Sequence, residues 1–354
     1  MSKKTVVGLI FGGRSAEHEV SLVSAGAVHK NLDREKYDVR SIYIAREGRW
    51  KPVAAPSSDL RALEAGPAFS FLPWEPGAPL GGRPVDIYFP VLHGPFGEDG
   101  TVQGLLEMAG VPYVGTGVLG SAVGMDKAVA KAVLRDRGLP VVPAAVVRET
   151  DWRADAGRVS RRVRRALPLP LFVKPANLGS SVGITKVKSH AGLGAALDLA
   201  FRYDATALVE MGVTGRELEV SVLGNEAPEA SLPGEIIPYN EFYDYDDKYK
   251  DGRTTFGIPA RLGSKVTARV QALAVAAFEA LAGSGLARVD FFLEKGTGRL
   301  YINEINTMPG FTEISMYPKL WAVSGLTFPR LLDRLIALGF ERHRARKACV
   351  ERAR

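Results

Sequence analysis

The sequence predicts an α/β fold at the start of the chain and a partly α+β arrangement beyond it. Three observations carry this. Up to residue 92, short apolar runs alternate with a stretch of helical period, as in a parallel sheet covered by helices. Further on, strand-like runs are separated by turns as often as by helices. The chain also has 354 residues, more than one hydrophobic core serves, so two or three domains are expected. The boundaries expected are 1–122, 123–215 and 216–354.

In order, TVVGLIF at 5–11 has the composition of a buried strand and runs into a GGRS turn. Residues 16–31 have helical period, and 37–45 form a second strand. The Pro, Gly and Ala of 51–82 suggest irregular connections. Residues 86–92 are a third apolar strand, closed by His93-Gly94-Pro95. Ligands of such sheets bind beyond the carboxyl ends of the strands, where GGRSAE and HGPFGEDG both lie. A helix over 126–136 stops at Gly138 and Pro140. Strands are expected at 141–147, 171–174, 184–187, 207–210 and 217–223, with helices at 155–166 and 191–201. An irregular segment at 238–256, a helix at 265–283, an acidic hairpin and a helix at 327–338 close the chain. The basic tail after Phe340 has no assigned role beyond a frayed helix.

Composition excludes several classes. Hydrophobic residues make up 46% and charged residues 24%, as in ordinary soluble proteins. The single cysteine, Cys349, rules out an intrachain disulfide framework and fits a reducing cytosol. The opening MSKKTVVGLIFGG is too short in its apolar part for a signal core, and no run approaches the roughly 18 apolar residues of a membrane span. A cytoplasmic protein without a membrane partner is expected. The net charge of +7 concentrates in RVSRRVRRA at 158–166 and in the tail. Neither segment interleaves aromatic residues, so nucleic acid is not expected as a partner; attraction of anionic nucleotides is the milder consequence.

Two segments carry chemistry. In LARVDFFLEKGTGRLYINEINTMPGF, runs 288–293 and 299–306 flank a turn at 295–298. Side chains alternate along a strand, so Glu304 and Asn306 share a face, and a loop at Gly296–Gly298 sets Asp290 opposite Glu304. Clustered hard oxygen donors beside Arg288 suit Mg²⁺ bound with phosphates; acids on an exposed hairpin can equally be solvated. In LFVKPANLGSSVGITKV, Lys174 ends a strand and a Gly/Ser loop follows. Its N–H groups and hydroxyls can meet phosphate. It lacks the Gly-Lys-Ser/Thr of a P-loop and continues as a strand, so it is a hairpin that could fold over phosphates.

Taken together and in order, GGRSAEHEVSL, VLHGPFGEDGTVQG, MDKAVAK, KPANLGSSVGITKV, GRELEVSVLG, EFYDYDDKY, ARVDFFL and INEINTMPGFTEISMYPKLW resemble the D-alanine–D-alanine ligases of the ATP-grasp superfamily. The resemblance spans about residues 5–338. It implies an ATP-grasp fold, ATP, two Mg²⁺ (or Mn²⁺) ions, two D-alanine sites and a homodimer. It also implies the reaction: phosphorylation of one D-alanine carboxylate, then attack of a second D-alanine's amine on the acyl phosphate in a closed, dry site.

Residue by residue, the resemblance gives Asp290, Glu304 and Asn306 to the metals. Lys127 and Lys174 match phosphate-binding lysines, and Lys248 matches a third that enters on loop closure. Ser180 and Ser181 lie over the phosphates. Arg288 matches the arginine that steadies the acyl phosphate and later oxyanion. Glu17, which alone would be taken for a helix-capping residue, matches the carboxylate that pairs with the first D-alanine's ammonium; Ser180 and Tyr249 join it. His93, alone a structural turn histidine, lies in the matching substrate loop. Gly310, Ser315 and Met316 fall where the second carboxylate binds. Glu217 matches the ribose glutamate, Glu210–Val213 the adenine hinge, and Asn303 belongs to the nucleotide side. Met211 stands where lysine is frequent, a departure that bears on a side-chain contact to adenine but not on the backbone contacts.

Rivals remain. Another ATP-grasp carboxylate–amine ligase would differ in SAEHEVS and PGFTEISM. A D-alanine–D-lactate ligase generally lacks the tyrosine loop of YDYDDKY. A dehydrogenase needs G-x-G-x-x-G, which GLIFGGRSAE does not provide. A non-catalytic nucleotide-binding regulator would be expected to have lost one of Asp290, Glu304, Asn306 or Arg288.

Overall fold

The computed structural model describes residues 3–69, 84–179, 182–237 and 254–352. Ser180, Ser181, Lys248 and Tyr249 lie outside the described residues. Three sheets organise the rest.

The first sheet has the order β3-β2-β1-β4, from β1 (Thr5–Gly12), β2 (Tyr37–Ile44), β3 (Trp50–Val53) and β4 (Ile87–Val91). The central β1, apolar on both faces and almost wholly buried, pairs in parallel with β2 and β4, whereas β3 pairs antiparallel to β2. A sheet buried on both sides explains the continuous run VVGLIF. β1 and β4 deliver Gly13 and His93 to the same edge, the carboxyl end at which such sheets place ligands. Trp50–Val53 and a short helix, Leu60–Glu64, are ordered where the Pro/Gly/Ala content suggested irregular connections. The short strand gains its hydrogen bonds from β2, a pairing that local propensity does not record.

The second sheet, β5-β8-β6-β7, comprises β5 (Ala144–Arg148), β6 (Leu171–Pro175), β7 (Thr185–Val187) and β8 (Thr206–Met211). A helix over Ala156–Ala166 packs Val159 and Val163 inward onto it and turns its arginines to solvent. The third sheet centres on a ten-residue strand, Gly215–Gly224, paired with Gly285–Glu294, which pairs in turn with Leu300–Asn306. Its apolar face meets the helix Ser264–Ala280 and also Ala130 and Leu134 of the helix Lys127–Asp136. Asp126 caps that last helix by accepting from the N–H groups of Ala128 and Val129.

The closing helix runs from Phe328 to Arg352, well past the expected end at 338. Its first turns pack Leu331, Leu332, Leu335 and Ile336 into the core of the first sheet. Gly339 has no room for a side chain, since an added Cβ would lie 2.8 Å from both Ile87 Cδ1 and the Tyr113 carbonyl oxygen. Beyond it, the Arg342 guanidinium stacks 3.9 Å from the Tyr113 ring centroid and donates to the Tyr113 hydroxyl at 3.0 Å. Arg346 pairs with Glu107. The tail is therefore a helix tied to the first layer. No described helix is long and apolar enough to cross a membrane.

Candidate active site

A cleft of about 1250 Å³ draws its lining from all three layers. Glu17 and His93 come from the first, Lys174 and Glu210 from the second, Glu217, Arg288 and Asp290 from the third.

The hairpin 285–306 forms one wall. Its register sets Asp290 opposite Glu304 and Arg288 opposite Asn306. The register shifts after Asp290, so that Phe291 pairs with Ile302 and Asn303 is skipped. Such a bulge re-aims side chains next to functional sites: Asn303, Glu304 and Asn306 all line the cleft. The Asn306 amide donates to Asp290 Oδ2 at 3.1 Å. Arg288 grips Asp290 with two bonds, Nε to Oδ1 at 2.7 Å and Nη2 to Oδ2 at 2.6 Å, and also meets Glu219 Oε2 at 3.0 Å. Burial alone would lower the Arg288 pKa; Asp290 and then Glu219 outweigh it and raise it well above its ordinary value. Two carboxylates and an amide beside an open cleft are a hard oxygen donor set that fits Mg²⁺, and a carboxylate gripped by arginine still has lone pairs to offer.

A second cluster lies where the second and third sheets face each other. Glu210 is buried and pairs with two lysines, Lys131 Nζ at 2.8 Å and Lys174 Nζ at 2.6 Å. Lys131 also donates to the Asn303 carbonyl at 3.0 Å, and Lys174 reaches Asn303 Oδ1 at 3.5 Å. Burial would raise the Glu210 pKa, but the two ammonium groups lower it. Lys127 stands 3.8 Å from Glu304 Oε2 and donates to the Leu178 carbonyl. Beside the cluster, Met211, Val213 and Glu217 line the cleft, and the Met211 N–H is held by the Pro143 carbonyl at 3.0 Å.

The third group sits at the carboxyl edge of the first sheet. Glu17 occupies the N-cap position of the helix His18–Asn31 but makes no side-chain capping bond. Its carboxylate lies against two glycines instead: a Cβ on Gly94 or Gly179 would fall 2.6 or 2.8 Å from its Oε2. Glu17 thus stands where the first layer meets the Gly/Ser hairpin. His93 is buried between the Met308 carbonyl and Ser24 Oγ, each 3.0 Å from a ring nitrogen, and burial lowers its pKa. Glu98 accepts from the N–H groups of Gly94 at 2.6 Å and Met308 at 3.3 Å. Burial, then the Glu17 charge, pushes its carboxyl up to about 8. Across the cleft, Ser315 holds the N-cap position of the helix Met316–Val323 without a side-chain capping bond; its hydroxyl accepts from the Thr312 N–H at 3.0 Å and would stand 2.7 Å from a Cβ on Gly310.

Residues 6–116 match the family described as "D-ala D-ala ligase N-terminus", and residues 133–337 match "D-ala D-ala ligase C-terminus". The chain belongs to the D-alanine–D-alanine ligase family. It is 52% identical to a D-alanine--D-alanine ligase of Solibacter usitatus over 97% of this chain and 98% of that one. It is 49% identical to the one of Heliobacterium modesticaldum, over 97% of each. Among solved structures, the D-alanine-D-alanine ligase from Coxiella burnetii superposes with a TM-score of 0.87 at 39% identity, covering 99% of this chain and 98% of that one. A D-Ala:D-Ser ligase from Enterococcus faecalis gives 0.83 at 36% identity, with 95% and 100% covered. The fold is that of the ATP-grasp ligases.

Of the positions expected from the ligase resemblance, all those among the described residues line one cleft. Two residues of the lining, Glu98 and Glu219, and one buried behind it, Lys131, were not singled out from the sequence. Glu219 follows Glu217 by two residues on one strand, so alternation alone puts both on one face. Lys131 follows Lys127 by four on a helix. Glu98 lies inside the quoted HGPFGEDG segment, but nothing in a sequence announces that its neighbours bury it.

Proposed function

We propose that the chain joins two D-alanines into D-alanyl-D-alanine, with ATP converted to ADP and phosphate, for peptidoglycan precursor synthesis. The observation that carries this is the convergence of three groups on one cleft: the Lys127/Lys174 cations, the Arg288–Asp290–Glu304 wall, and the Glu17 carboxylate opposite. We place the reaction in the cytoplasm and the working unit as a homodimer, following the family resemblance.

A carboxylate is a poor electrophile, because displacement would have to expel oxide. Phosphorylation removes that obstacle. Lys127 and Lys174 neutralise the phosphates, and the family resemblance adds Lys248 and the hydroxyls of Ser180 and Ser181 to this task. Met211 and Val213 offer backbone groups to adenine, and Glu217 meets the ribose. Asp290, Glu304 and Asn306 would hold Mg²⁺ or Mn²⁺, which supplies positive charge to the phosphates when bound. Glu17 pairs with the ammonium of the first D-alanine and sets its carboxylate toward the γ-phosphate, with Tyr249 and Ser180 closing over it. His93, neutral and held on both nitrogens, fixes the loop that frames this site.

One carboxylate oxygen takes the γ-phosphoryl group and ADP leaves. The second D-alanine, its carboxylate received by Gly310, Ser315 and Met316 at a helix N-terminus, brings its amine to the acyl carbon. Arg288 stabilises the oxyanion; the C–O bond to phosphate then breaks, and the nitrogen sheds a proton. Water would hydrolyse the acyl phosphate, so the cleft must be closed during both steps.

The YDYDDKY segment favours an amine over a hydroxyl as the second nucleophile. Phosphate release should require ATP, Mg²⁺ and D-alanine together, and D-lactate at neutral pH should substitute poorly. Phosphate release without D-alanine, or a preference for D-lactate, would defeat this assignment.

A further inference from the structure

The function proposed above puts Lys174 on the phosphates, yet in the structure Lys174 is committed to a buried carboxylate, Glu210, at 2.6 Å. Drawing it away would strand that carboxylate, whose side chain is 4% exposed. Breaking a buried ion pair by removing one partner is strongly unfavourable, because the remaining charge stays desolvated. Lys131 changes this balance. It is 4% exposed, lies 2.8 Å from the other oxygen of Glu210, and is anchored by the Asn303 carbonyl at 3.0 Å. Two cations therefore share one anion, and the surplus charge faces the cleft through Lys174, the more exposed of the two at 7%.

We infer that Lys131 is a positioning residue that acts through Glu210: it keeps the carboxylate paired so that Lys174 can exchange Glu210 for a nucleotide phosphate. Lys131 never touches the nucleotide. Its anchor on the backbone of Asn303, the residue skipped by the bulge in the metal-bearing hairpin, joins that hairpin to the adenine side of the cleft. Without Lys131, Glu210 and Lys174 form a closed one-to-one pair, and phosphate must compete with it.

The inference rests on the ATP reading and predicts a split between ligands with and without phosphates. The full-length chain is titrated with ATP and, separately, with adenosine, and thermal unfolding is followed for each variant. Wild type must bind ATP; failure there would sink the ATP reading and not this inference. Lys131→Met should weaken ATP binding by about tenfold or more and change adenosine binding by less than about twofold. Lys131→Gln, which keeps donors but drops the charge, should move in the same direction and serves if the methionine variant does not fold. Lys131→Met/Glu210→Gln, in which no buried anion holds Lys174, should recover most of the lost ATP affinity. Equal losses for ATP and adenosine, no loss of ATP affinity, or a double variant no better than the single one would overturn the inference.

Discussion

Glu98→Gln tests the buried carboxyl at the substrate edge, keeping its shape and removing its titration. Burial first, and the Glu17 charge second, move this carboxyl from an ordinary 4.5 up to about 8. The unfolded chain thus sheds the proton near pH 4.5 and the folded chain near 8. The contribution of Glu98 is complete below the lower value and is lost as pH rises toward the upper one. At 1.36 kcal/mol per unit, the full gap corresponds to roughly 5 kcal/mol. One side of Glu98 faces the cleft and takes some solvent, so about half of this, roughly 2–3 kcal/mol, is the figure expected. For a chain of this length, about 1.3 °C of melting temperature corresponds to 1 kcal/mol. Melting curves of wild type and variant at steps between pH 5 and 8.5 should therefore draw apart, the variant gaining about 3–4 °C over that range. Parallel curves, or a wild type that gains on the variant with rising pH, would refute the reasoning.

Glu304→Gln keeps volume and removes the charge proposed to hold the metal: its melting temperature should stay near wild type while kcat falls by about a hundredfold and the Mg²⁺ requirement rises. Normal turnover with unchanged Mg²⁺ dependence would remove Glu304 from the metal site. Arg288→Lys cannot reproduce the two-bond grip on Asp290; kcat should drop by roughly 10²–10³, and steady-state kinetics showing less than a threefold loss would contradict the oxyanion role. Gly94→Ala places a Cβ 2.6 Å from Glu17 Oε2 on a backbone with φ of +73°. D-alanine saturation curves should show the first-site KM raised by about tenfold, and an unchanged KM would show that Glu17 does not hold that substrate.

The sequence was most informative where function rests on local spacing. A loop at Gly296–Gly298 was expected to set Asp290 opposite Glu304, and that pair is formed, but by another route: the turn is one residue longer, with Leu293 opposite Leu300, and the bulge that skips Asn303 restores the pairing, which alternation alone does not record. Arg288 shows where legibility stops. Its pairing with Asp290 is local, but its second partner, Glu219, comes from a strand some 70 residues away, and no periodicity records that neighbour. Lys131 and Glu210 are likewise joined only by folding: they are a helix residue and a strand residue whose elements meet at the cleft. For Glu17, the helix-start position was visible, yet the absence of a capping bond was not, because it depends on Gly94 and Gly179 leaving the carboxylate a place to lie. The closing helix outran expectation because its second half, poor in apolar residues, is held by Arg342 on Tyr113 and Arg346 on Glu107.

The central claim is that a D-alanine carboxylate oxygen leaves as part of phosphate. D-alanine labelled with ¹⁸O in its carboxylate, incubated with ATP, Mg²⁺ and the full-length chain, tests it in one mass-spectrometric measurement of the released phosphate. The account predicts one ¹⁸O atom in each phosphate, with the other ¹⁸O retained in the new peptide carbonyl. Unlabelled phosphate, with both labelled oxygens still on the amino acid, would contradict an acyl phosphate and with it the assignment of Arg288 and the metal-bearing hairpin.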